Sequence, residues 1–304
     1  MRKVLVVFAA TGLLLAACAE DDPTIGGPTG ETSPTGATGP QTAAECAESN
    51  ADAFQTSGTL TVGTGNPAFP PWWEGGESEG SEFEFNDPAN GEGYEGAVAA
   101  EVAERLGFAF PEDVTFVPVV FRESFAPGPK EFDFVIQQIS YTPRRDEAVD
   151  FSESYYDANQ ALVASEDSAI ADATSIADLA DAKLGAPIGT TSLDVIEDVI
   201  QPNQEPNVYN ELSLAIQDLR SGAIDGVIVD LPSAFFITAV QFRKGVVVGQ
   251  FELASQEYFA MAFETGSTLV ECVNLALEEM KADGTLDAIH QEWLADKTNA
   301  PVLT

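Results

Sequence analysis

The chain has 304 residues, with 13 Lys and Arg against 50 Asp and Glu, a formal net charge of −37 and 44% hydrophobic residues. A negative field this strong excludes nucleic acid as a partner and disfavours flat adsorption on anionic lipid. One histidine and three scattered cysteines argue against a zinc centre or a Ser/His/Asp triad, so no cofactor, no metal and no enzymatic chemistry are expected.

Arg2 and Lys3 precede a run from Val4 to Leu15 that is apolar apart from Thr11 and Gly12. That is the layout of a secretion signal, and the run is too short to span a membrane as a mature helix. Leu15-Ala16-Ala17-Cys18 resembles the bacterial lipobox. It implies that residues 1–17 are a lipoprotein signal peptide and that Cys18 carries lipid at the outer face of the cell membrane. Residues 20–44 are rich in Thr, Gly, Pro, Ser and Ala and cannot bury enough surface to fold. Residues 18–55 are therefore read as a flexible tether, the low-complexity part reaching on the order of 25–30 Å. Cys46 and Cys272 remain, and two leftover cysteines in an exported chain are expected to pair.

The folded body opens with a strand at Gly58–Gly65. A proline-stiffened loop (NPAFPPWW) then presents Phe69, Trp72 and Trp73, either as a cleft wall or as a plug over the core. Residues 75–92 are acidic and Gly-rich and read as a solvated excursion. The four-residue spacing of Val98, Val102 and Leu106, with Gly107 as a stop, predicts a helix from Gly96. Strands follow at Val114–Phe121 and Phe132–Ile136, an order that suits parallel pairing in an α/β sheet. Ser140-Tyr141-Thr142 breaks the second strand, and Pro143 begins a helix carrying Arg144 and Arg145. A guanidinium beside hydroxyls and a helix N-terminus suits a carboxylate; the alternative is a plain strand-turn-helix junction.

A strand is expected up to Tyr155-Tyr156 and another at Gln160–Ala164, after which the composition becomes small and acidic. Leu184–Ile188 ends in Gly189-Thr190-Thr191-Ser192, which would cap a helix and could hold an anion. A helix at Leu212–Arg220 and a strand at Ala223–Val229 follow. Asp230, at that strand's C-terminal end, reads either as a ligand contact or as the cap of the helix beginning at Leu231-Pro232. Two further strands and two closing helices, Thr268–Ala282 and Thr285–Ala295, complete the chain. His290, on the last helix, is given no site role.

Several blocks carry a resemblance: GYEGAVAAEVAERLG, FDFVIQQISYTPRRDEAVDFSESYY, IGTTSLDVI, LRSGAIDGVIVDLPSAFF and ADGTLDAIHQEW. Together they resemble the polar-amino-acid-binding proteins of ABC importers (extracellular solute-binding protein family 3). The resemblance implies the type II periplasmic-binding-protein fold, two α/β lobes joined by a two-strand hinge. Lobe 1 would comprise residues 56–163 and 254–304, and lobe 2 residues 164–253. It also implies that Arg145 takes the ligand α-carboxylate, helped by Ser140 and by Thr190 or Thr191 beside Gly189. Asp230 would take the α-ammonium with the Gln138 carbonyl, and Phe69 would cover the ligand side chain. The implied partners are an amino acid or related small polar ligand and an ABC permease in the membrane, with the protein a monomer. A ligand-sensing receptor domain, or a same-fold enzyme such as a dehydratase, is the alternative. Many relatives carry an acidic residue where Gly65 stands, which leaves the particular ligand open.

Overall fold

The computed structural model describes residues 41–304 apart from residues 254 and 298; the expected signal peptide, Cys18 and the expected tether up to residue 40 lie outside the described residues. Residues 43–53, read above as tether, are instead helical. Helix α1 (Ala43–Ser49) starts in a reciprocal capping box between Thr42 and Glu45 and buries Ala43, Cys46 and Ala47. A 3₁₀ turn at Ala51–Ala53 follows. The composition that argued for disorder stops at the cap. Cys46 is bonded to Cys272, S–S 2.04 Å, as expected.

Strand β1 (Leu60–Thr64) is buried along its whole length, as befits a strand covered on both faces. Helix α2 (Tyr94–Arg105) buries Val98 and Val102, and Arg105 on its wet side binds Glu101 at 2.7 Å. Strand β2 (Val114–Pro118), a single helical turn α3 (Phe121–Ser124) and the short strand β3 (Phe134–Val135) follow. Then come the turn α4 (Pro143–Asp146) and strand β4 (Asp150–Ala158). β1 pairs in parallel with β2 and β3, as anticipated.

Beyond Asn159 the chain enters a second sheet with β5 (Gln160–Ser165) and β6 (Leu184–Pro187). The single turn α5 (Thr191–Asp194) runs on as wider helical turns over Val195–Ile200. Next are β7 (Asn207–Tyr209), α6 (Leu212–Ser221), β8 (Gly226–Asp230) and α7 (Leu231–Phe236). β9 (Gly245–Phe251) ends this passage, and β10 (Glu257–Phe263) returns to the first sheet. α8 (Leu269–Asp283) and α9 (Thr285–Trp293) pack there, separated by Gly284 in the left-handed conformation (φ +82°).

The two sheets have the orders β2-β1-β3-β10-β4 and, with a final strand β11 (Val302–Leu303), β11-β9-β5-β8-β6-β7. This is the expected pair of α/β lobes, each with its own apolar core. Two boundaries differ from the expectation. Residues 160–163, expected in lobe 1, open β5 of the second sheet. The C-terminal residues, also expected in lobe 1, end in β11, which pairs in parallel with β9 of the second sheet, and Gln250 N–H donates to the Pro301 carbonyl. The tail thus ends in the second sheet, and among the described residues the chain also passes between the sheets at Asn159 and between β9 and β10. A two-residue strand with no periodicity left no pattern to read.

Candidate functional site

The passage through Ala158-Asn159-Gln160 decides what meets between the lobes. Its register places Ala158 opposite Glu257 in the first sheet and Gln160 opposite Asp230 in the second. Side chains from both sheets therefore converge on fully buried Gln160. Its amide nitrogen donates to Asp230 Oδ1 at 2.8 Å and to Glu257 Oε2 at 3.1 Å, while its oxygen accepts from Ser192 Oγ at 2.7 Å. Glu257 Oε1 accepts from Ser140 Oγ at 2.5 Å, and Ser140 Oγ lies 3.3 Å from Thr191 Oγ1.

Arg145 enters from the one-turn α4. Thr142 caps that turn by accepting the Arg145 N–H at 3.2 Å, and Pro143 supplies the pre-set first helical residue. The side chain is buried and its guanidinium donates to two backbone carbonyls, Ser140 O at 2.6 Å and, in the other lobe, Gly189 O at 2.9 Å. The ring centroids of Phe125 and Phe121 lie 4.3 and 5.5 Å from its central carbon. Burial lowers its pKa, while Glu257, Asp194 and Asp230 act to raise it. Arg144 is exposed, so the second arginine of the pair is the one inside.

Asp230 occupies the cap position of α7 but makes no side-chain capping bond; its carboxylate goes to Gln160. Burial, and then the charge of Glu257, raise its pKa to about 8. Glu95, on the first turn of α2, is buried and its pKa is pushed up to about 7 by desolvation. It accepts from Tyr155 Oη at 2.5 Å and from Gln138 N at 2.7 Å, and also from the Gln138 side chain. These bonds hold Gln138 in a left-handed conformation (φ +52°) that a non-glycine residue rarely adopts, two residues before Ser140.

Of the two threonines named as alternatives, Thr190 is occupied as the α5 cap, accepting from Leu193 N at 3.2 Å and donating to Pro187 O at 2.8 Å. Thr191 is the one that faces Ser140. Gly189 contributes its carbonyl, and its φ of +76° suits glycine. Phe69 is half-buried and packs on Phe85, ring centroids 5.1 Å apart. Trp72 lies in the aromatic core against Tyr94, Tyr156 and Phe259, yet its indole N–H crosses to Ser233 Oγ of the other lobe at 3.0 Å. Sequence reasoning missed Glu257, Gln160, Glu95 and the Phe121–Phe125 pair. For the first two the usable signal was position, since each is the first residue of a strand leaving a lobe crossing.

Comparisons with known proteins bear on the family and the fold. The family described as "Bacterial extracellular solute-binding proteins, family 3" matches residues 75–296. The "Arginine-binding extracellular protein ArtP" of Bacillus subtilis (strain 168) is 26% identical over 215 residues, 69% of this chain and 81% of that protein. The "L-cystine-binding protein TcyJ" of Escherichia coli (strain K12) is 29% identical over 246 residues, 79% and 85% of the two chains. Among solved structures, "An ancestral arginine-binding protein bound to glutamine" superposes with a TM-score of 0.64 at 32% identity, over 78% of this chain and 98% of that one.

Proposed function

We propose a function from one premise: this chain belongs to the bacterial extracellular solute-binding proteins, family 3. It is the extracytoplasmic binding component of an ABC importer, capturing an amino acid or a similar small polar zwitterion between its lobes and delivering it to a membrane permease. The observation that carries this reading is the meeting of Arg145 and Asp230, from different lobes, around Gln160, Ser140 and Thr191. A zwitterion needs a cation and an anion a few ångströms apart. Arg145 receives the α-carboxylate and Asp230 the α-ammonium, with Thr191 and the Gln138 backbone beside them. Contacts from both lobes exist together only when the cleft is closed, so a ligand that uses both favours closure by its differential affinity. Lipid on Cys18 and the tether keep the body near the permease, with lobe 1 built on the sheet β2-β1-β3-β10-β4 and lobe 2 on the sheet β11-β9-β5-β8-β6-β7.

A thermal-shift screen of the purified protein against amino acids, polyamines and small organic acids tests the reading, followed by calorimetry on the hits. Stabilisation by one or more amino acids is expected. Stabilisation by none of them, with the protein folded, would overturn it.

A further inference from the structure

The zwitterion reading leaves Glu257 without a task. Among the described residues, the hydrogen-bonded constellation holds one guanidinium, Arg145, and two carboxylates, Asp230 and Glu257. Both carboxylates lie within about 3 Å of the same Gln160 nitrogen, which places their bonded oxygens no more than about 6 Å apart. Glu257 is buried. A zwitterion has no net charge, so it leaves the excess of carboxylates as it found it.

The hydrogens around these carboxylates point the same way. The Ser140 hydroxyl spends its single hydrogen on Glu257, which leaves its lone pairs for Thr191. Gln160 spends its amide hydrogens on the two acids, and its oxygen is taken by Ser192. The wall beside Asp230 is therefore rich in acceptors, a surface suited to N–H donors that bring positive charge.

Resting on the solute-binding reading, we propose that Glu257 is a specificity-determining residue that pairs with Asp230 to select amino acids of net positive charge. The second carboxylate disfavours neutral ligands, because they cannot neutralise it, and rewards a guanidinium or a second ammonium.

Titration calorimetry of the purified full-length protein with L-arginine and its neutral isostere L-citrulline tests this. Arginine should bind about tenfold or more tightly than citrulline. Glu257→Gln, checked for folding by its melting temperature, should bring the two affinities within about twofold while citrulline still binds. Glu257→Asp draws the charge back by one methylene and should narrow the ratio in part, a readout that stands if the glutamine variant does not fold. Equal wild-type affinities, or a ratio that neither variant changes, would overturn the proposal. A wild-type protein that binds no amino acid in the screen fails the solute-binding reading itself, a distinct result.

Discussion

The two poles of the proposed site are held by different means. Arg145 is satisfied by neutral partners, two backbone carbonyls and the faces of two phenylalanines. Asp230 and Glu257 are held by an amide and a hydroxyl. None of the three forms an ion pair within 4 Å among the described residues. On the surface, by contrast, Arg105 pairs with Glu101 and Asp283, both at 2.7 Å. Neutral dipoles orient a buried charge without cancelling it, whereas a protein counter-ion would have to be displaced before a ligand could bind. The site therefore keeps its ionisable groups clear of protein counter-ions, while the surface pairs its own.

The largest effect should come from emptying the cationic pole. Arg145→Ala is expected to weaken amino-acid binding by about 2–5 kcal/mol, as when one member of a buried charged pair is lost. Calorimetry giving an unchanged affinity would remove Arg145 from the site and break the comparison.

Asp230→Asn should follow, at about 2–3 kcal/mol of binding for a charge-assisted contact. It also carries a pH signature. With the Asp230 pKa raised from the ordinary 3.8 to about 8, an ammonium must displace a proton at neutral pH. Wild-type affinity should rise from pH 6 to 8 and level off above, with proton release visible in buffers of different ionisation enthalpy, while Asp230→Asn stays flat. The sign for stability is opposite. A carboxyl whose folded-state pKa is raised contributes stability that is full below about pH 4 and is lost as pH rises through 8. Ligand-free Asp230→Asn should consequently melt higher than wild type above pH 8, by scanning calorimetry.

These poles were unequally legible in the sequence. Arg145 stands in a local block, Ser140 to Arg145, where proline, cap and arginine follow at fixed spacing, so a single stretch announces it. Asp230 closes an apolar strand, which also marks it. Glu257 lies 97 residues from Gln160 and 117 from Ser140, and nothing local distinguishes it from the other acidic residues of a chain with 50. Only the pairing of β4 with β10 and of β5 with β8 brings it in. The same division runs through the fold. Helices α2, α6 and α8 were visible from their apolar spacing and glycine stops, whereas β7, β11 and α1 depend on tertiary partners. α1 in particular is held by the disulfide and by Ala43 N–H donating to Glu279.

A smaller effect sharpens the cationic side. Phe125→Leu keeps apolar volume over the guanidinium but removes the ring face 4.3 Å from its central carbon. A desolvated cation–π contact is worth about 1–2 kcal/mol. Part of that should appear as lower melting temperature and part as weaker binding, since Arg145 would lose its fixed orientation. The equivalent loss should not appear in the pH profile, which belongs to Asp230.

The smallest effect separates closure from recognition. Ser233 accepts the Trp72 indole N–H across the lobes at 3.0 Å and is remote from the paired acids in chemistry, contributing no charge. If that bond forms only when the lobes meet, Ser233→Ala lowers the stability of the closed state by about 0.5–1.5 kcal/mol, the net worth of one hydrogen bond. The loss should then be the same factor for every ligand, because a change in the closing equilibrium multiplies all apparent affinities alike. Calorimetry with arginine and citrulline distinguishes the two kinds of residue: Ser233→Ala should weaken both and preserve their ratio, whereas Glu257→Gln should change the ratio. A ligand-dependent loss in Ser233→Ala would place Ser233 in the recognition surface, not in the latch.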